Sequence, residues 1–496
     1  MNPGWPVGRI FPSIRRQSVD GTDRDPRESI EAVARAHVVG VLSPTRATAV
    51  TPLQRRVLAA TIIGSGMAFA DGSIVTVAIP KMRAALQATL PEMQWVANSY
   101  TLVLSAFLLL GGAAGDRYGL RRVYALGIAL FATASFACAL SASSTALILA
   151  RAAQGFGAAL MVPGSLALIA AHFPEDERGR AIGVWAAATS IAAATGPLLG
   201  GWLIDHAPWQ SIFLINLPFA ALGLGIVIRG LADLPQGSSG MDWWGAFLAV
   251  IGLGGVALSL TLFGEAGAGA QRAAIACGTG GLAALAAFVV WESRAPNPML
   301  PLQFFRRRRA NGVNVLTALL YFALSGAIFF LPSALIQRHG WSAASAGSIF
   351  VGFTAMLAIL SHFGGAIADR FGVRIPLTVG PAITAASFAA LAPAVAIGDF
   401  WTAILPTMLL MGVGMGVTVA PLSTAVMACA PAGQTGVASA INNAVARAAG
   451  LLAVASLGAV VGDAFAGFSA LAPICAAAAA ASAVVGFVTQ GADQAA

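Results

Sequence analysis

The sequence predicts an all-α integral membrane fold of about fourteen transmembrane spans, arranged as two six-helix bundles with two extra central helices. Three observations carry that prediction. Of 496 residues, 58% are hydrophobic and 10% charged, whereas charged residues make up about a quarter of soluble domains. Apolar stretches of about 20 residues, the length that crosses a bilayer core as helix, recur from Val57 to the carboxy terminus. Two loops of one design, Gly112-x-x-x-Asp116-Arg117-Tyr118-Gly119-x-Arg121 and Gly365-x-x-x-Asp369-Arg370-Phe371-Gly372-x-Arg374, each join two such stretches. A duplicated hydrophobic unit is a common plan for transporters, because two similar halves can rock about a site at their interface.

Taken in order, residues 1–52 are polar, contain Arg, Pro and Ser, and lack the apolar region of a signal peptide. They read as a disordered cytoplasmic tail. Spans near 57–79, 94–114, 123–142, 146–170, 181–204 and 211–228 form the first bundle, 53–230. Spans near 243–263 and 273–291 form a central insert with a long loop, 231–311. Spans near 312–336, 343–367, 375–397, 400–421, 436–461 and 467–489 form the second bundle, 312–496. The duplicated loop falls between the second and third span of each bundle, so the central pair has no counterpart. A second echo places Gly155-Phe156-Gly157 with Pro163 in the fourth span and Gly412-Val413-Gly414 with Pro421 in the twelfth. Small residues let membrane helices approach, and proline permits a kink. In the loop 292–311, the amphipathic quartet Leu302-Gln303-Phe304-Phe305 is expected on the membrane surface.

The net charge of +8 is a matter of topology. With the amino-terminal side taken as cytoplasmic, sixteen arginines between Arg46 and Arg374 fall on inward connections, against Lys81, Arg83, Arg272 and Arg338 on outward ones. That bias puts both termini in the cytoplasm of a multi-pass inner-membrane protein and explains the basic balance without nucleic acid. The run Arg306 to Arg309 also suits anionic lipid headgroups. Cys138, Cys277, Cys429 and Cys475 are scattered singly and read as small core residues. No metal site or cofactor is expected. Lys81 is the single lysine of the chain, so no phosphate-binding loop exists. No nucleophile, base and orienting group assemble from the sequence, so no catalytic residue is expected.

An ionisable group in hydrocarbon costs several kcal/mol and marks function by default. Asp71, within Phe69-Ala-Asp-Gly-Ser-Ile-Val-Thr-Val-Ala-Ile-Pro80, is the outstanding acid. Desolvation disfavours a carboxylate, so an acid there can take up and release a proton, and when charged it offers a negative site to a cationic substrate. Arg151, in Leu149-Ala-Arg151-Ala-Ala-Gln154-Gly155, is the matching cation and stays charged. It either biases a neighbouring acid or forms a structural ion pair. Arg447, close after Asn442 and Asn443, is the charge inside the last six spans, with a packing or gating role favoured over a cavity contact. The loop groups Gly112, Asp116, Arg117, Gly119, Arg121 and Arg122, echoed by Asp369 and Arg370, suit a charged lock between conformations, the glycine permitting a tight turn. Gly196, Pro197, Gly200 and Gly201 give the fifth span a bare face for close packing, a hinge or a seal. Trp95, Tyr100, Trp185, Trp202, Trp243 and Trp244 mostly fall near span ends, as an interfacial belt does.

With these residues in place, the chain over about 53–490 resembles the major facilitator superfamily, specifically the fourteen-span drug:proton antiporters. Gly112 to Arg122 is similar to that family's second-to-third-span loop, with Leu120 where a basic residue is usual. Arg151-x-x-Gln154-Gly155 is similar to its fourth-span motif. Gly196-Pro197-x-x-Gly200-Gly201 is similar to its antiporter motif, with Ala192 in place of the leading glycine. Asp71 to Pro80, and Trp209 through Ile212-Phe213-Leu214-Ile215-Asn216-Leu217-Pro218, match the fourteen-span branch. The resemblance implies the major facilitator fold and export of drugs or toxic small molecules, often cationic or amphipathic, in exchange for protons. Asp71, Arg151 and Gln154 then serve coupling, and Asp116 and Arg117 serve gating. A dedicated carrier of one endogenous metabolite or antibiotic is the alternative. Some similar exporters also work with a periplasmic adaptor and an outer-membrane channel.

Overall fold

The computed structural model describes residues 51–231, 240–264, 267–300, 302–430, 435–462 and 467–489. The expected tail falls almost wholly outside that range, as does the side chain of Asp369. Fourteen helices among the described residues are long and apolar enough to span a membrane, as the hydropathy pattern predicts. They are α1 (Pro52–Leu86), α2 (Leu90–Tyr118), α3 (Leu120–Ala139), α4 (Ser144–His172), α5 (Glu175–His206) and α6 (Ser211–Gly230). Next come α7 (Trp243–Leu262) and α8 (Ala268–Glu292). The last six are α9 (Arg308–His339), α10 (Ala343–Phe371), α11 (Pro376–Ile397), α12 (Phe400–Ala428), α13 (Thr435–Val461) and α14 (Phe468–Thr489).

Local chemistry sets many of the boundaries. At α2, the Thr89 hydroxyl accepts from the Glu92 amide at 3.4 Å while Glu92 accepts from the Thr89 amide at 2.7 Å, a reciprocal cap. Ser143 accepts from Ala146 at 3.2 Å to start α4, and Ser342 from Ser345 at 3.1 Å to start α10. Asp242 accepts from the Gly245 amide at 2.8 Å to start α7 and from the Trp291 indole at 2.7 Å, joining the two insert helices at one end. Along its length α7 packs on Leu102 of α2 and on Leu451 and Ala455 of α13, so the insert lies against helices of both sets of six.

The repeat seen in the sequence is a repeat of geometry. Gly119 has φ 97° and Gly372 φ 72°, a region that L side chains rarely adopt, so both loops turn where the glycine allows it. In the first copy Arg121 donates to the carbonyls of Val227 at 3.3 Å and Ile228 at 2.6 Å, near the end of α6. In the second, Arg374 donates to the Phe487 carbonyl at 3.1 Å, near the end of α14, with its guanidinium 4.1 Å from the Phe487 ring. Each arginine thus donates to carbonyls in the last turns of a helix, where backbone donors run out. Arg121→Ala and Arg374→Ala are each expected to cost about 1 kcal/mol, as charged hydrogen bonds at a part-exposed site do, read as a lowered melting midpoint in detergent. The glycine pairs match as well: a Cβ at Gly155 would overlap Tyr100 of α2, and one at Gly157 would overlap Phe131 of α3. Likewise Gly412 abuts Phe353 of α10, and Gly414 abuts Gly380 and Thr384 of α11.

On the membrane face opposite these loops the two sets of six meet directly. The Asp205 carboxylate, at the end of α5, accepts from the amides of Ala343 at 3.0 Å and Ala344 at 2.9 Å, the first residues of α10. A Cβ at Gly201 would overlap the Ala343 carbonyl, and one at Gly347 would overlap the Pro197 carbonyl. Pro197 and Gly201 of α5 are therefore pressed against α10. Gln94 of α2 also donates to the Val454 carbonyl of α13. Gly347→Ala is expected to weaken this closed face by about 1–3 kcal/mol, the usual cost of overpacking. A cysteine at the central cavity, Ser325→Cys, should then react faster with an impermeant maleimide added from that side.

Within the quartet 302–305, part of a short 3-10 turn, the Phe304 ring is buried beside Ala310, Val313, Val426, Cys429 and Ile441. Arg307 anchors the turn by donating to the Cys429 carbonyl at 3.1 Å.

Candidate functional site

Several helices bring polar groups to one carboxylate. Asp71, on α1, is 1% exposed. The Arg151 guanidinium on α4 forms an ion pair with its Oδ2. Its Oδ1 accepts from Gln154 Nε2 at 2.9 Å and from Asn216 Nδ2, on α6, at 2.9 Å. Ser135 on α3 closes the network, accepting from Asn216 at 3.0 Å and from Gln154 at 3.3 Å and donating to the Phe213 carbonyl at 2.9 Å. The spacing of Arg151 and Gln154 puts both on one face of α4, and Arg151 donates to Gln154 Oε1 at 2.7 Å.

Arg151 is over-determined. It also donates from Nε to the Val96 carbonyl at 3.1 Å, and its guanidinium lies 4.3 Å from the Tyr100 ring centroid. Tyr100 in turn donates to the Ala68 carbonyl at 2.8 Å, which fixes the ring against α1. Gly155 makes this approach possible, because α4 meets the Tyr100 backbone where a side chain would collide. An uncompensated buried charge is costly, so a pair held by this many hydrogen bonds is the form in which both charges can stay charged.

Beside this network is a cavity of about 480 Å³ at the centre of the molecule. One wall comes from α1, α2 and α4 with Phe69, Tyr100 and Arg151, and the other from α9 and α13 with Tyr321, Phe329 and Arg447. Asp71 is not on the wall, and both of its oxygens are engaged by protein donors. The charged groups on the wall are the guanidinium groups of Arg151 and Arg447. Asn443 and Arg447 reach the cavity, whereas Asn442 donates instead to Asn314 at 3.0 Å and Thr317 at 2.8 Å of α9. Tyr100 belongs to the site and not to an interfacial belt, and the cation that it stacks on is the protein's own.

Gly196 and Gly200 pack α5 on α1 at Ser73, Ala70 and Ile74, one turn from Asp71. Gly112 abuts Pro163 of α4. Asp116, Arg117 and Arg122 are exposed at the loop face, well apart from the carboxylate network, and Arg117 lies 5.7 Å from the Tyr118 ring. Arg370 is likewise exposed. Ser135 and Asn216 are the network members that charge-based reading missed. A single amide among apolar residues, Ile215-Asn216-Leu217, was the available signal.

The comparisons agree with this architecture. The profile described as Major Facilitator Superfamily matches residues 61–455 and 313–491. The chain is 32% identical over 419 residues to the tetracenomycin C resistance and export protein of Streptomyces glaucescens, covering 82% of this chain and 77% of that one. It is 34% identical over 411 residues to the methylenomycin A resistance protein of Bacillus subtilis (strain 168), covering 82% and 87%. A crystal structure of the peptide transporter POT in complex with sulfate matches with TM-score 0.65 at 16% identity, over 91% of this chain and 96% of that one, a likeness of fold alone. The chain belongs to the Major Facilitator Superfamily, a family of membrane transport proteins and not of enzymes.

Proposed function

We propose that this protein is a proton-coupled antiporter that exports amphipathic small molecules through alternating access. The observation that carries the reading is the buried Asp71–Arg151 pair, in which Arg151 also forms part of the cavity wall. A proton on Asp71 cancels the charge that holds Arg151, so proton binding inside the first bundle changes the group that the cavity presents. Substrate on the cavity side and proton on the carboxylate side then act on one guanidinium, so the occupancy of each site alters the affinity of the other. In this reading residues 53–230 and 312–496 are the moving bundles. The α5–α10 contact seals one face, and Asp116, Arg117, Asp369 and Arg370 help to close the other. The arginine bias puts that loop face, with both termini, in the cytoplasm of the cell membrane.

Similar proteins named for single antibiotics and others named for multidrug resistance both support export of toxic small molecules. The positive charge on the wall favours amphipathic compounds over simple cations. The test uses everted vesicles containing a pH indicator, acidified by respiration and challenged with a panel of amphipathic compounds. Substrate-triggered proton release that is absent from vesicles lacking the protein supports antiport. If accumulation of a compound causes no proton movement, the coupling half of the reading fails.

A further inference from the structure

The cavity wall carries a charge that no acidic side chain among the described residues balances. Arg151 is neutralised by Asp71. Arg447 faces the same space from α13, and its buried Nε has no hydrogen-bond partner. The cavity residues include no Asp or Glu. Asn98 Nδ2, on the α2 side of the cavity, is likewise buried without an acceptor. The unsatisfied polar atoms at the cavity are thus donors, contributed by both walls. Phe69, Tyr100, Tyr321 and Phe329 supply ring surface around them. Buried donors need acceptors, and a desolvated guanidinium is best met by an anionic oxygen.

From the unpartnered Arg447 and Asn98 donors in this ring-lined cavity, we infer that the preferred cargo is a ring-bearing amphiphile with one anionic oxygen group, a carboxylate or ionised phenol. Arg447 holds the anion, Asn98 donates from the other wall, and the aromatic side chains cover the apolar body. The inference rests on the transport reading above in taking this cavity as the substrate site. It also fixes the charge moved. One monoanion leaving for one proton entering carries two positive charges inward per cycle, so membrane potential alone drives export. A monocation exchanged for one proton carries none.

The test uses purified full-length protein and three probes with the same ring system: 1-pyrenebutyrate, 1-pyrenebutyramide and a pyrenylbutyl trimethylammonium salt. Equilibrium dialysis in detergent is expected to show the carboxylate bound about tenfold or more tighter than the other two, the worth of one charged hydrogen bond. Arg447→Gln should abolish that preference, bringing the carboxylate down to the affinity of the amide, and Arg447→Lys should restore part of it. In liposomes, an imposed potential without a pH gradient should drive the carboxylate. Preference for the cation, binding of none of the three, or a carboxylate preference that survives Arg447→Gln overturns the inference. If the carboxylate is preferred but no protons move, the antiport reading fails and the cargo class stands. If protons move with the cation and not with the carboxylate, antiport stands and the cargo class is wrong.

Discussion

Asp71→Asn is expected to reduce substrate-triggered proton release to the level of vesicles without the protein, while substrate still equilibrates down its own gradient. Asparagine matches the shape of aspartate and keeps an acceptor for Arg151, but it cannot carry a proton in the relevant range. It also puts an amide donor where Gln154 and Asn216 already donate, so the network loses two bonds and sets donors against donors. The measurement is paired: proton release in energised everted vesicles, and counterflow of labelled substrate without a pH gradient. Loss of the first with retention of the second is the predicted outcome. If Asp71→Asn releases protons as the parent protein does, the proton carrier is another group, and the Asp71–Arg151 pair is structural.

The second large effect is on stability. Arg151→Leu leaves a carboxylate 1% exposed with its counter-ion gone, and breaking a buried pair from one side costs about 3–5 kcal/mol. The double variant Asp71→Asn/Arg151→Leu removes both charges and is expected to recover much of that loss, because the penalty belongs to the unpaired charge and not to the missing contact. Arg151→Lys is expected to fall between them. An ammonium on a single stem cannot also reach Val96, Gln154 and Asp71 in the fork geometry that the guanidinium uses. Thermal unfolding in detergent, followed by tryptophan fluorescence, ranks the four proteins. Equal midpoints for the single and double variants would show that water in the cavity already solvates Asp71.

Charge in hydrocarbon is a loud signal, and it made Asp71 and Arg151 legible from the sequence. The amide and hydroxyl that complete their network, Asn216 and Ser135, are quiet, because an uncharged polar side chain is tolerated in many helix interfaces. Gln154 entered only through the resemblance of its motif. Asn442 and Asn443 show a different limit: neighbours on a helix point about 100° apart, and composition could not say that Asn443 takes the cavity and Asn442 takes α9. The spans were legible because their length is set by the bilayer. The fate of Phe304 was not, because an apolar face is equally satisfied by lipid and by a crevice between helices.

The arginines after the two tight turns bear on how the halves can drift apart. Arg121 and Arg374 grip backbone carbonyls of α6 and α14. Every residue type has a carbonyl, so the grip survives almost any side-chain replacement at those helix ends. Mutation can rewrite the last helix of either half while the arginine keeps it tethered. The two loops can therefore stay alike in sequence while the helices that they hold are free to differ.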